Sequence, residues 1–372
     1  MIETNKIYCM DCREGLKKIE DNSIDCIITS PPYWALRKYT DDNPNEIGCE
    51  EHPKDYINKI VNVCVECMRV LKPNGNFFLN IGDSYATHKS GKDTEINKSN
   101  KKKLKSLVIR NSPKKSLKSN WFQEKQKLLI PHRIAIALQD RGYIVRDDNV
   151  WVKKLTLYPE KESLGTTMPF PVKDRFLSST EYIFHIVKNK NYYFNLEKVK
   201  LNLKESSIKR AQKPISSTFK RQVKNNPYLN HNGMENYYNK LAKKYIDDNN
   251  GARMTRTKVG LGNVKNWNPQ GINVETANPT NAIMFKRRNQ FSKKGFDEHY
   301  ATFPEVLVDL FIKVGCREKG IVLDPFAGVG TTLVVAKYSG RNFIGFEINQ
   351  DYIKIANRRL AQKTLSEVEH ER

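Results

Sequence analysis

Two short motifs, one near each end of the chain, constrain this fold more than any other feature. Thr29-Ser30-Pro31-Pro32-Tyr33-Trp34 follows the β-branched run Ile24 to Ile28. Asp324-Pro325-Phe326-Ala327-Gly328-Val329-Gly330-Thr331-Thr332 follows a second such run, Ile321 to Leu323. Runs of this kind read as buried strands, so each motif is predicted to lie where a strand gives way to a loop. In an open α/β sheet that carboxyl edge is where ligands bind.

The pattern around the motifs supports such a sheet. Lys6 to Cys9 and Ile24 to Ile28 read as strands separated by a helix over Arg13 to Ile19. An amphipathic helix over 55–71 is predicted to end at Pro73-Asn74-Gly75, followed by a strand from Asn76 to Ile81. This strand, helix, strand rhythm favours parallel pairing. After a break, a helix over Pro131 to Asp140 precedes strands at Tyr143 to Val152 and Tyr182 to Val187. The C-terminal stretch reads as helix (Glu305 to Val314), strand (Ile321 to Leu323), helix (Thr331 to Tyr338) and strand (Asn342 to Phe346). Ile353, Ala356 and Leu360 mark a closing helix.

Charge divides the chain more sharply than hydropathy does. The net charge is +23, yet residues 88–127 carry 13 Lys/Arg against 3 Asp/Glu, and residues 188–294 carry 23 against 6. A slightly acidic scaffold with two basic inserts reads as a polyanion-binding protein, because clustered Lys/Arg displace counterions from phosphates. Residues 88–127, rich in Lys, Ser and Asn, read as a mobile loop. The second insert, 203–296, interleaves its charges with Phe219, Tyr228, Tyr237, Tyr238, Tyr245, Trp267, Phe285 and Phe291, which gives it apolar surface to fold with, at least on its target. Trp267 reads best as that insert's own core. No apolar stretch reaches the roughly 18 residues of a membrane span and no leader pattern is visible, so a cytoplasmic location without membrane attachment is expected. Seven cysteines then read as reduced thiols. Cys9-x-x-Cys12 and Cys64-x-x-Cys67 have the spacing of zinc half-sites, but Tyr56, Ile60, Val63, Cys64, Cys67 and Leu71 recur at helical spacing, which places the second pair on a buried stripe and argues against a metal. His132, His185 and His299 read as structural histidines.

The glycine turn at 328–330 is a site for close backbone approach by a ligand facing a helix N-terminus. Thr331-Thr332 stands where a phosphate-binding loop has Lys-Ser/Thr, and the third glycine of a dinucleotide fingerprint is missing, so an adenosyl ligand without phosphate fits better. Glu347 ends the next strand, 23 residues after Asp324, where a carboxylate can accept from ribose hydroxyls. With these residues in view, Asp324 to Thr332 resembles the S-adenosylmethionine loop of DNA amino-methyltransferases, and Ser30-Pro31-Pro32-Tyr33-Trp34 resembles their catalytic loop in the form typical of N4-cytosine enzymes. Catalytic motif first and cofactor motif last is the order of the beta group of that family. The stretches Tyr8 to Cys12, Leu71 to Gly75, Glu181 to Phe184 and Ala301 to Glu305 fall in line, so the likeness covers 1–87, 128–200 and 297–360 and omits the basic inserts.

The resemblance implies an α/β class I S-adenosylmethionine-dependent methyltransferase, Rossmann-like with a circularly permuted mixed sheet and an inserted target-recognition region. Its expected divisions are a catalytic half (1–87), the basic loop (88–127), a continuation of the same domain (128–202), the recognition insert (203–296) and a cofactor-binding half (297–372). Carried over by residue, it places Asp11 near the cofactor's adenine, with a helix cap as the alternative reading of Asp11. Phe303 and Pro304 would lie beside the methionine arm, Asp324 and Phe326 along the methionine and adenosine portions, Gly328, Gly330 and Thr331 in the loop, and Glu347 on the ribose.

Exocyclic amino groups are poor nucleophiles, because the nitrogen lone pair is delocalised into the ring. A catalyst must hold that nitrogen in line with the methyl donor and accept its hydrogens. Ser30 supplies a hydroxyl acceptor, and Pro31 a carbonyl with no competing N–H from Pro32. Tyr33, with Trp34 as a second candidate, supplies a flat face for a base extruded from the duplex. Cytosine C5 chemistry needs a cysteine nucleophile, which in its family follows proline, and no Pro-Cys pair occurs. The expected activity is thus N4-cytosine methylation of double-stranded DNA, with a cognate restriction endonuclease as functional partner by family implication. N6-adenine or RNA methylation and an inactive nucleic-acid-binding scaffold remain as alternatives.

Overall fold

The computed structural model describes residues 2–35, 46–86, 122–167, 172–202, 276–285 and 303–362. Most of the two basic inserts, with Trp267 and His299, therefore lies outside the described residues.

Strands β1 (Lys6–Cys9), β2 (Ile24–Thr29), β3 (Leu71–Ile81), β4 (Ile144–Val152), β7 (Thr180–Val187), β10 (Ala282–Ile283), β11 (Ile321–Asp324) and β12 (Asn342–Glu347) form one sheet in the order β1-β12-β11-β2-β3-β7-β4-β10. The first five in that order are mutually parallel, β7 is antiparallel to both β3 and β4, and β10 runs parallel to β4. Only β7 opposes the rest, so the sheet is mixed. Because β11 lies between β12 and β2, the two ends of the sequence interleave and the two motif-bearing strands become neighbours.

Alternation along the strands assigns the two faces. Phe77, Leu79 and Ile81 join the core beneath α1 (Cys12–Lys17), α2 (Pro53–Val70) and α3 (Ile130–Gln139). Phe78 points the other way, where its ring meets Phe311 of α4 (Glu305–Gly315) at a centroid distance of 4.6 Å. The helices α5 (Thr331–Tyr338) and α6 (Gln350–Leu360) continue that second layer. The stripe predicted on α2 is present: Tyr56, Ile60, Val63, Cys64 and Cys67 are all buried, and burial pushes the Cys64 thiol up to about 12. Among the described residues no cluster of three or more His, Cys, Asp or Glu could hold a metal, and no helix is long and apolar enough to cross a membrane.

Several details differ from the sequence reading. Pro73-Asn74-Gly75 does not separate helix from strand; α2 runs straight into β3, and these residues form a bulge between the pairings Ile24↔Leu71 and Cys26↔Asn76. The predicted loop 88–127 ends inside the fold, since Phe122 is buried and Lys127 pairs with Tyr85. Part of the segment assigned to the recognition insert belongs to the main sheet, because β10 pairs with β4. The hairpin β5 (Lys154–Leu157) and β6 (Glu162–Gly165) adds to the predicted elements; Leu155 and Leu157 alternate with Lys154 and Thr156, a signal confined to one short strand. A second compact unit spans Val199–Pro279; its described part is the pair β8 (Leu201–Asn202) and β9 (Thr276–Ala277). His185 is buried, bonded through Nε2 to Asn76 Oδ1 at 2.8 Å and stacked on Phe78; desolvation lowers its pKa to about 4, so it is a neutral structural group. His132 packs edge-on against Tyr182.

Candidate active site

The two motifs meet at the carboxyl ends of β2 and β11. Thr29 Oγ1, at the end of β2, donates to Asp324 Oδ1 at 2.6 Å, and the Phe326 N–H donates to the same oxygen at 3.0 Å. Asp324 is 2% exposed, and burial pushes its carboxyl up to about 6 against the lowering effect of Thr29, Thr332 and the Phe326 N–H. Residues 295 positions apart are thus joined by one buried carboxylate. The loop continues through Gly328 and Gly330, both in the left-handed region (φ 52° and 77°), and Gly330 caps α5. A Cβ at Gly330 would meet Ala356 Cβ at 2.9 Å, so this position needs glycine on two counts. Glu347 ends β12 with its Oε2 accepting from the Gly328 N–H and its Oε1 from the Asn349 N–H, each at 2.8 Å. Burial pushes this carboxyl up to about 7, with the N–H donors pulling it down and Asp324 adding a smaller upward push.

These groups line one cleft. Its walls include Met10, Asp11, Ser30, Pro32, Glu46, Phe303, Asp324, Phe326, Gly328, Thr331, Phe346, Glu347 and Tyr352. Of the residues expected on the cofactor side, Pro304 and Gly330 do not line it: Pro304 occupies the N-cap position of α4, and Gly330 that of α5. Asp11 serves both readings. It caps α1 by accepting from the Arg13 N–H at 2.8 Å, and it also lines the cleft. Burial raises its carboxyl, but the Arg13 hydrogen bonds and charge outweigh that and hold it below the ordinary range. Four carboxylates and no Lys or Arg line this cleft among the described residues, in a chain of net charge +23. Such a cleft repels phosphate and suits a cationic ligand carrying hydroxyls.

On the catalytic side, Ser30 and Pro32 reach the cleft, while Pro31 is buried and does not line it. The Pro31 carbonyl accepts no hydrogen bond among the described residues, whereas the Pro32 carbonyl is taken by Tyr56 Oη at 2.8 Å. Tyr33 lies behind Ser30 with its ring edge against Gly82, where a Cβ would sit 2.7 Å from the ring. Trp34 is not a stacking face: it is 3% exposed and its Nε1 donates to the Glu50 carbonyl at 2.8 Å, a core role set by the turn after Pro-Pro.

A family model described as DNA methylase, of the N6 and N4 type, matches residues 24–358. The chain belongs to this family of DNA methylases. The methylase is 30% identical over 358 residues to the type II methyltransferase M.SmaI of Serratia marcescens, covering 96% of this chain and 91% of that one. It is 29% identical over 350 residues to M.Cfr9I of Citrobacter freundii, covering 94% and 85%. Among solved structures, the cytosine-N4-specific PvuII DNA methyltransferase superposes with a TM-score of 0.54 at 16% identity, covering 99% of this chain and 90% of that chain, a likeness of fold.

S-adenosylmethionine, the methyl donor of this family, fits the cleft on the structure's own terms. Glu347 presents a desolvated carboxylate whose remaining lone pairs suit a diol, the open face of Gly328 leaves room for a ligand, and the acidic lining suits a sulfonium. Sequence reasoning missed the methylase's Asn80, Glu181 and Lys153. Asn80 Nδ2 lies 3.3 Å from Ser30 Oγ, Tyr33 Oη donates to Glu181 Oε2 at 2.8 Å, and Lys153 pairs with Glu181 Oε1. The signal available was Glu181 itself, an acidic residue near the start of a largely apolar strand.

Proposed function

We propose that this methylase transfers a methyl group to the exocyclic N4 of a cytosine extruded from duplex DNA, protecting host DNA in partnership with a restriction endonuclease. The observation that carries the reading is the position of Ser30: its hydroxyl is an uncharged acceptor at the mouth of an acidic cleft, joined to the cofactor loop through Thr29 and Asp324. When bound, S-adenosylmethionine supplies an electrophilic methyl on sulfur. The protein contributes the rest. Glu347 and the 326–331 loop would hold the adenosyl part, the Thr29–Asp324 bond ties the two motifs together, and Ser30 accepts an amino hydrogen so that electron density returns to nitrogen. The basic inserts attract the phosphate backbone and read the sequence around the target. Phe303 and Phe326 line the cleft and would pack against the donor when it is bound.

The test is incubation with radiolabelled S-adenosylmethionine and mixed-sequence duplex DNA, followed by digestion to nucleosides. Label in N4-methylcytosine is the expected result. Label in N6-methyladenine overturns the base assignment, and label on RNA alone overturns the substrate class.

A pH dependence follows from Glu347. Its ionised form accepts two hydroxyls best, and its pKa lies near 7, so cofactor affinity should weaken as pH falls through 7, approaching tenfold per unit below it. Titration calorimetry at pH 8 and pH 6 should show the loss, and Glu347→Gln should bind weakly at both and keep only the smaller dependence that Asp324 contributes near pH 6. Asp324 titrates about a unit lower and persists in that variant as the control. A flat wild-type profile would remove Glu347 from ribose binding.

A further inference from the structure

Behind Ser30 the side chains form a directed chain. Lys153 pairs with Glu181, which therefore stands as a carboxylate that only accepts hydrogen bonds. Tyr33 Oη, 2.8 Å from Glu181 Oε2, must then donate to it, which leaves Oη with acceptor capacity alone. Ser30 Oγ, 3.4 Å from that oxygen, is the hydroxyl positioned to donate into it. Asn80 Nδ2 sits among all three, 3.3 Å from Ser30 Oγ, 3.1 Å from Tyr33 Oη and 3.2 Å from Glu181 Oε2. An amide nitrogen accepts no hydrogen bond, so none of these oxygens donates toward it, and its two hydrogens are shared among the three. With the Ser30 proton committed to Tyr33 and one lone pair to Asn80, the remaining lone pair is the one available to a group in the cleft.

Burial makes the chain consequential. Asn80 is 3% exposed, and the Lys153 ammonium also lies 4.7 Å from the Trp151 ring centroid, which anchors the far end. The groups come from four elements: the loop after β2, β3, the start of β7 and the end of β4. Strand pairing sets their register, with Asn80 opposite Ile183 and Trp151 opposite Glu181.

We propose that Ser30, Tyr33 and Glu181 form a relay that takes the amino proton from the methylated nitrogen to the Glu181 carboxylate, with Lys153 holding that carboxylate in place. The proposal rests on Ser30 as acceptor of the amino group, whichever base carries it. As the nitrogen lone pair forms the new nitrogen–carbon bond, the electrons of the carbon–sulfur bond stay on sulfur. The nitrogen–hydrogen bond then breaks and its proton joins Ser30 Oγ, the Ser30 proton moves to Tyr33 Oη, and the Tyr33 proton moves to Glu181 Oε2. Both hydroxyls are regenerated, and the carboxyl later releases its proton to solvent. The 3.4 Å link is the loose one in the ligand-free geometry, and catalytic contacts of this kind tighten with substrate present. Tyr33 and Glu181 are positioning residues, since Ser30 alone touches the reacting nitrogen.

The experiment compares Tyr33→Phe, Glu181→Gln and the double variant in single-turnover methyl incorporation into unmethylated plasmid DNA, with filter retention of that plasmid and calorimetric binding of S-adenosylmethionine measured alongside. Each single variant should slow transfer by about 10²-fold while DNA retention and cofactor affinity stay within about twofold. The double should be no slower than the slower single, because both break one series of links. Glu181→Gln leaves Lys153 without its partner, so Glu181→Gln/Lys153→Met restores charge balance and should fold as wild type yet remain slow. A wild-type rate in either single variant, or effects that multiply in the double, overturns the relay. Incorporation of label into adenine by the wild type corrects the base assignment and leaves the relay standing, whereas no incorporation into DNA by the wild type sinks both.

Discussion

Asp324→Ala should cost the methylase its cofactor binding and its methyl transfer together, and should lower the melting temperature by about 5–10 °C. The carboxylate is buried and is the shared acceptor for Thr29 Oγ1 and the Phe326 N–H. Alanine leaves both donors without that partner, at a cost of about 1–3 kcal/mol each, against a domain stability of about 5–15 kcal/mol. The functional loss is expected to exceed the structural one. Thr29 immediately precedes Ser30, so in the proposed mechanism this bond would set the distance between acceptor hydroxyl and methyl donor, and reaction rate is steeply sensitive to that distance. Asp324→Asn separates the two effects. Its amide oxygen can keep both hydrogen bonds, so the fold should survive, while cofactor affinity drops by at least about tenfold with the loss of a charged acceptor. The sign with pH is definite. The Asp324 pKa is raised from 3.8 to about 6, so the penalty for ionising it in the fold is absent below about 4, grows between those values and is complete above 6. The neutral amide avoids that penalty, and thermal melts should therefore show Asp324→Asn at least as stable as wild type at pH 8, with its relative advantage gone at pH 4. An asparagine variant as unstable as the alanine one at pH 8 would contradict the assignment of this side chain as a desolvated bridge.

The C-terminal strands and helices of this fold were readable because local signals agreed there. The helix predicted over Thr331 to Tyr338 has those very bounds, since Gly330 must adopt the left-handed cap and Ser339-Gly340 ends the apolar run. Glu347 could be placed at a strand end by the same logic. What could not be read is what depends on partners distant in sequence. Glu181 lies 148 residues from Tyr33, and nothing in the catalytic motif announces a carboxylate behind it. The pairing of β3 with β7 creates that contact, and a single sequence carries no record of which strands pair. Trp34 shows the opposite failure. Its place beside Tyr33 suggested a second stacking face, but the turn after Pro31-Pro32 sends the indole into the core toward the Glu50 carbonyl. Pro73-Asn74-Gly75 has every mark of a connecting turn, yet the same residues serve as a bulge once Leu71 has already paired with Ile24. Local propensity thus located the elements, and tertiary pairing decided the side chains that surround the reacting group.

Ser30→Ala should slow single-turnover methyl transfer by about 10²–10³-fold, more than any change behind it, because it deletes the acceptor that meets the amino group directly. Cofactor affinity should stay within about twofold, since the adenosyl contacts are proposed for the 326–331 loop and Glu347 and not for Ser30, which borders the same cleft. DNA retention should also persist, the attraction to phosphate being supplied by Lys and Arg elsewhere. The variant loses one donor to Tyr33 Oη, but that oxygen keeps the Asn80 N–H at 3.1 Å and its own bond to Glu181, so the network behind the serine should remain folded. This independence gives the sharper test. If Ser30 is the first link of the series, then adding Glu181→Gln to Ser30→Ala should slow transfer no further, because the amino proton already has no route inward. If Glu181 instead acts by holding the base or the backbone, the second change should cost as much on the alanine background as on the wild type. Near-ultraviolet circular dichroism of both variants fixes the fold as the common reference, and the ratio of the two rates then distinguishes a relay that begins at Ser30 from a carboxylate that only props up its surroundings.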